Sequence, residues 1–271
     1  MTTALPLFDH HAHLDDPAVD AHLLRAGLDL PQLVGAISAG YGPERDALAM
    51  TRITLDSRIF RTVGLHPWWL AEQPEAEREA RWREGWHALE QRVAHLNGPA
   101  PDSTSRIVGL GEIGLDQTLR KRLPLSDQLK HFERGLDLAR QVRLPVVLHL
   151  VRWHGHALST LRDLRPINGV VHRYGGPPEL VADFQRLGLS LSLHPSRWRR
   201  DPRSFSAVVR AIEPAHLLVE TDWPQGAQSW AEALLEMTAC ITAIAAIRQI
   251  HPNALAEELV ANARRVYGIT R

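Results

Sequence analysis

Short, nearly continuous apolar runs alternate with longer stretches of helical spacing from one end of the chain to the other. The apolar runs lie at 5–14, 33–39, 59–67, 107–116, 144–150, 169–174, 187–195 and 216–224. They are dense in Val, Ile and Leu, as strands buried on both faces of a parallel sheet are. Helical spacing runs through 44–56, 70–95, 125–142, 177–187, 203–212, 230–248 and 253–267. This alternation predicts an α/β fold of the (β/α)8, or TIM barrel, type. The polar stretch GPAPDSTSR (98–106) is too short for a linker and reads as a loop before the fourth strand. The whole of 1–271 is therefore expected to form a single domain.

Nearly every strand run ends in a polar, charged or metal-competent residue followed by a loop signal. Barrel strands bring their C-terminal ends to one face, so residues two hundred positions apart become neighbours there. His11 and His13 stand two apart in DHHAHL, and a period of two sends both to one face, where they can grip one ion. His10 then points the other way and reads as structural. Asp9 reads as a group that orients a ligand from behind, or the base of the barrel. In a chain with 15 histidines the pair alone says little.

Glu112, flanked by glycines in GLGEIGLD, is costly to bury unless it is paired or ligating. Its two oxygens can bridge two cations. His149 in VVLHL and His172 in VVHRY each end a hydrophobic run. One such histidine is usually a core or rim residue; two on successive strands, beside HxH and Glu112, read as ligands. Asp222 in LLVETDWP ends the strand that meets the first on closure, where it can ligate and take a proton from the attacking water. The set predicts two divalent ions, with Asp222, His11 and His13 on one, His149 and His172 on the other, and Glu112 between. Such ions lower the pKa of water toward about 7 and stabilise charge on a displaced oxygen. Four imidazoles and two carboxylates make zinc the expected metal, with manganese or magnesium as alternatives.

These motifs resemble the TatD family of metal-dependent deoxyribonucleases, within the amidohydrolase-like barrels. The resemblance spans Phe8 to Tyr267 and rests on DHHAHL, GLHP, GEIGLD, LPVVLH, GVVH, ETDWP and NARRVYG. It implies metal-dependent hydrolysis of phosphodiesters in DNA, typically from a 3′ end. It carries the ligand role onto His11, His13, Glu112, His149, His172 and Asp222, and a substrate-phosphate role onto His66. The chain departs from the family pattern at Val151, where an arginine is usual and Arg152 comes one later. It departs again at Arg173-Tyr174-Gly175-Gly176, His194-Pro195 and Trp223. These departures fall in the substrate pocket and point to a specialised substrate; His194 is expected either at the mouth beside the metals or as a rim histidine bonded to a backbone carbonyl.

The loops after the strands are rich in arginine and tryptophan: LRKR (119–122), RWHGH (152–156) and SRWRRDPR (196–203), with Trp68, Trp69, Trp223 and Trp230 after strands 3 and 8. Arginine offers forked donors to phosphate and tryptophan a platform for a base. Arg152, Arg197, Trp198, Arg199 and Arg200 are accordingly expected to touch a DNA or other phosphodiester substrate. Lys plus Arg equals Asp plus Glu at 31 each, so any pull on nucleic acid has to come from such local patches.

The single cysteine, Cys240, reads as core in a reducing compartment. MTTALPLFDHHAHL shows no signal-peptide pattern, and no run reaches about 20 uninterrupted apolar residues. A cytoplasmic location and no membrane partner are expected. Two other readings remain open: an amidohydrolase-type enzyme cleaving a C–N or lactone bond, and a catalytically quiet barrel serving as a partner subunit. Six retained metal-type residues tell against the second. Neither a G-x-S-x-G elbow nor a phosphate-binding G-x-x-x-x-G-K is present.

Overall fold

Eight apolar segments pair side by side in chain order, all parallel. They are β1 (Leu7–Ala12), β2 (Leu33–Ser38), β3 (Ile59–Val63), β4 (Ile107–Asp116), β5 (Val146–Val151), β6 (Gly169–Val171), β7 (Leu189–Leu193) and β8 (Leu217–Val219). The computed structural model describes residues 4–94, 96, 106–164, 167–225 and 227–270. Alternation along each strand feeds two cores. Leu7, Val146 and Leu217 pack outward against the surrounding helices. Their neighbours Phe8, Val147 and Leu218 join Ile37 and Val170 in a second core, which Val260, Ala263, Val266 and Tyr267 of the helix Pro252–Tyr267 complete. This is the barrel that the apolar runs predict.

The ring closes between β8 and β1 through the segment that follows β8. Asp222 donates its backbone N–H to His11 O at 2.9 Å, and His13 donates to Trp223 O at 2.7 Å. Below them the Asp9 carboxylate accepts from Thr221 N at 3.0 Å, Thr221 Oγ1 at 2.6 Å and Trp230 Nε1 at 2.8 Å. Asp9 therefore fastens the seam. Burial raises its pKa to about 6 despite those three donors.

Several expected elements differ. The helix expected over 70–95 is two, Pro67–Glu72 and Arg78–Ala94, because Gln73 precedes Pro74 and is driven out of helical geometry. The strands expected over 169–174 and 216–224 stop at Val171 and Val219, which leaves His172 and Asp222 on the emerging loops. Helices Ala21–Leu28, His154–Asp163 and Pro195–Arg200 are each ten residues or shorter and lie where no helical spacing is read from the chain. Most of the loop expected over 98–106 lies outside the described residues. Among the described residues one helix, Trp230–Arg248, is long and apolar enough to cross a bilayer by composition. Leu234, Met237, Cys240, Ile241 and Ile244 are instead buried in the outer core.

The β4 backbone comes unusually close to its neighbours at Glu112. A Cβ on Gly64 would stand 2.6 Å from both Glu112 O and Gly111 C, backbone atoms that cannot swing aside. Gly114, at φ +157°, would put a Cβ 1.9 Å from His149 O. Gly64→Ala is therefore expected to destabilise the protein by about 1–3 kcal/mol in urea unfolding. A change below roughly 0.5 kcal/mol, the range of an ordinary surface substitution, would mean that the strand end has slack.

Candidate metal centre

Glu112 is wholly buried at the C-terminal end of the barrel, and neither of its carboxylate oxygens has a hydrogen-bond partner. Around Oε1 stand His11 Nε2 and His13 Nε2, each at 3.4 Å. Asp222 Oδ1 joins this side, 3.8 Å from His11 Nε2 and 3.4 Å from His13 Nε2. Around Oε2 stand His172 Nε2 at 2.8 Å, His149 Nδ1 at 3.5 Å and His66 Nε2 at 3.6 Å. The structure thus gathers all six side chains expected to ligate, in two groups on either side of one carboxylate. His11 Nε2, Asp222 Oδ1 and both Glu112 oxygens are buried without partners. Unbonded donor atoms converging in this way are costly unless a cation lies between them, so the residues fit divalent metal.

The tautomers follow from the outer bonds. Asp116 Oδ2 lies 3.1 Å from His149 Nε2, which places the proton there and leaves Nδ1 bare toward Glu112. Glu220 Oε1 lies 3.4 Å from His172 Nδ1, while His172 Nε2 faces Glu112 Oε2 at 2.8 Å and His149 Nδ1 at 3.1 Å. Carboxylates behind ligand imidazoles orient them and raise their basicity. Asp116 is itself fixed by Trp68 Nε1 at 2.8 Å and by Thr118 N and Oγ1 at 2.8 and 2.6 Å. Both acids sit inside the motifs GEIGLD and ETDWP, yet their residue type does not distinguish an outer from an inner role.

His66 behaves differently. Its Nδ1 accepts from Trp68 N at 2.9 Å and caps the helix Pro67–Glu72, so the neutral ring carries its proton on Nε2. It offers the cavity a donor instead of a lone pair. Burial holds its pKa well below the usual histidine value.

His10 does not point away from the site. The β1 register slips between Asp9 and Ala12, which defeats the period-two expectation. His10 Nε2 lies 3.0 Å from Glu220 Oε2 and 2.5 Å from Ser192 Oγ, beneath the ligand set. His194 takes the second of the two places expected for it, the rim. Its Nε2 bonds Thr221 O at 2.8 Å and its Nδ1 accepts from Ser196 N at 3.1 Å, so both ring nitrogens serve the rim and neither is free for a phosphate or an ion.

The loop residues also separate. Arg197 donates to Tyr174 O at 2.6 Å, Gly176 O at 2.9 Å and Ser204 Oγ at 3.0 Å, and Arg199 pairs with Glu236 at 2.9 Å. Trp198 packs partly buried on the core. Arg197 and Trp198 are committed internally and Arg199 is held in a surface ion pair, while Arg152 and Arg200 are exposed and pair with no acid among the described residues. Of the loop tryptophans, Trp69, Trp223 and Trp230 are buried; Trp68 is 43% exposed and lines the cavity above the site. That cavity holds about 690 Å³ and is also lined by Tyr41, Arg173 and Gln225. Arg173, which the sequence marks only as a departure, donates to Asp222 Oδ2 and Gln225 Oε1.

The charge balance follows from this packing. Burial alone would raise the Glu112 pKa, but the charge of its neighbours, His172 foremost, holds it well below the carboxylate range. Burial would lower His172, yet Glu112 and Glu220 raise it well above normal. His13 is raised to about 9, because Asp222 and Glu112 outweigh burial. At neutral pH without metal, His13 and His172 therefore hold protons that a bound cation must displace. Zinc titration calorimetry near pH 7 is expected to show proton release, and affinity should climb as pH rises toward about 9. A heat independent of buffer ionisation enthalpy would rule these rings out as ligands. Glu220→Gln is expected to weaken metal binding about 10- to 100-fold, read by competition with a chelating dye. Undiminished affinity would leave Glu220 with no part in holding His172.

The sequence profile described as TatD related DNase matches residues 8–268. The uncharacterized metal-dependent hydrolase YjjV of Escherichia coli (strain K12) is 29% identical over 231 residues, covering 80% of this chain and 78% of that protein. A 3'-5' ssDNA/RNA exonuclease TatD from Yersinia pseudotuberculosis is 28% identical over 221 residues, covering 76% of each. The crystal structure of YjjV superposes with a TM-score of 0.78 at 22% identity, over 97% of this chain and 98% of that one.

Proposed function

The chain belongs to the family of TatD-related DNases, which are metal-dependent hydrolases, and we propose on that premise that it is a two-metal phosphodiesterase acting on DNA from a 3′ end. The observation that carries this reading is the pair of unbonded Glu112 oxygens, each facing its own group of ring nitrogens. His11, His13 and Asp222 would hold one ion, His149 and His172 the other, with Glu112 shared. Zinc is the proposed metal because imidazole predominates; manganese and magnesium are the alternatives. The name of the Yersinia relative supports both the polarity and a single-stranded substrate. Buried Cys240, the only cysteine, supports a reducing, cytoplasmic setting.

Divalent ions held here would supply Lewis acidity at the phosphate and a water that is nucleophilic near neutral pH. Asp222 is the carboxylate at the mouth: Oδ1 turns toward His11 and His13, while Arg173 holds Oδ2. It takes the proton from the attacking water. His66 Nε2–H donates to a phosphate oxygen, a role its low pKa fits because the ring stays a neutral donor. The exposed face of Trp68 receives a base. Arg197, Arg199, Trp198 and His194 shape the rim, and Arg152 and Arg200 remain free for substrate.

A screen of metals against single-stranded DNA, duplex DNA, RNA, bis-p-nitrophenyl phosphate and amides tests the reading. Single-stranded DNA is expected to shorten from its 3′ end, with activity lost to chelator and restored by zinc or manganese. Asp222→Asn should lower kcat about 10²- to 10⁴-fold. Amide cleavage with DNA left intact, or a mutant as active as the parent, would sink the proposal. Trp68→Ala should cost about 1–3 kcal/mol in DNA binding; unchanged affinity would move the base elsewhere.

A further inference from the structure

Beside the metal-site cavity lies a second one of about 450 Å³, and the two share Leu150, Val151 and Arg173 as a common wall. Their linings differ sharply in charge. Asp16, Glu72, Glu112, Asp116 and Asp222 face the first. Among the described residues no carboxylate lines the second, whereas Arg152, Arg173, Arg197 and Arg200 all do, with His154 and His194. Arg197 is turned to backbone carbonyls and Arg173 to Asp222. Arg152 and Arg200 are exposed and, among the described residues, pair with no acid. Like charges gathered in one groove repel unless an anion joins them. A groove of this kind next to a phosphodiester site suits the phosphates of a chain that continues past the bond being cut.

We propose that the arginine groove binds a second backbone phosphate of a single-stranded polynucleotide, adjacent to the phosphate held at the metal centre. The inference rests on the phosphodiesterase reading and deepens it. The terminal nucleotide occupies the cavity beneath Trp68, and the body of the strand leaves over Arg173 between Arg152 and Arg200. The enzyme then prefers substrates with at least two phosphates to a lone diester. The loops of β5 and β7 supply this preference with residues that hold neither metal nor each other.

The metal-loaded protein is tested with a short single-stranded phosphorothioate oligothymidylate, which resists cleavage, by fluorescence anisotropy over a range of salt. Arg152→Ala with Arg200→Ala is expected to weaken binding roughly tenfold or more and to reduce the slope of log affinity against log salt by about 0.7, the value for one phosphate neutralised on a single strand. Replacing both by lysine should keep the slope, and Arg81→Ala, on a helix remote from the groove, should keep the affinity. In a cleavage assay the KM of the parent should fall when a dinucleoside monophosphate gains a second internucleotide phosphate, and the double alanine variant should lose that difference. Unchanged affinity and slope in the double alanine variant overturn the groove. A parent that binds the oligonucleotide through the groove yet cleaves no phosphodiester sinks the hydrolytic reading alone.

Discussion

Burying an ionised carboxylate costs several kcal/mol even after the protein relaxes, and Glu112 is wholly buried at the centre of the barrel mouth. Much of the surrounding structure answers that cost. Imidazoles from β1, from the end of β5 and from the loop after β6 crowd its two oxygens. The positive charge among them, that of His172 foremost, keeps it ionised against burial. Glycines at positions 40 and 64 let the neighbouring backbones approach the strand that carries it. The centre is thus poised around an anion whose full compensation requires cations, and metal binding and local stability draw on the same electrostatics.

Behind that centre lies a second tier of carboxylates that never reach the cavity as ligands. Asp116 and Glu220 fix one imidazole each, and His10 with Ser192 supports Glu220 from below. Asp9 does mechanical work at the seam. Charge alternates outward from Glu112 through imidazole to carboxylate. At His149 the Asp116 carboxylate accepts from Nε2–H, so that ring turns its Nδ1 lone pair inward.

The sequence reveals the barrel because alternation of apolar runs and helical spacing survives over the whole chain. It reveals the grouping of His11, His13, Glu112, His149, His172 and Asp222 because strand ends must meet. What stays hidden depends on distances that residue type does not encode. Asp116 and Glu220 look like any other acid in their motifs. His10 is misplaced by a register slip in β1, which no periodic pattern reports. Arg197 and Arg199 read the same as Arg152 and Arg200, and only the carbonyls of Tyr174 and Gly176 and the acid of Glu236 set them apart. His194 fits the mouth and the rim equally until its two nitrogens are found capping a helix and holding Thr221.

The seam has a consequence for when the site comes into being. His11 and Asp222 stand at opposite ends of the chain order, and the same backbone bonds that close the ring join them. Contacts of such long sequence separation form late, after the loop-closure entropy of the intervening chain has been met. While the polypeptide is still being synthesised, the first strand has no β8 to meet. An unfinished chain can carry both histidines of β1 and the carboxylate of β4, but it lacks the acid that completes the set. The full cluster of side chains therefore assembles only when the last strand and the loop that follows it have been made.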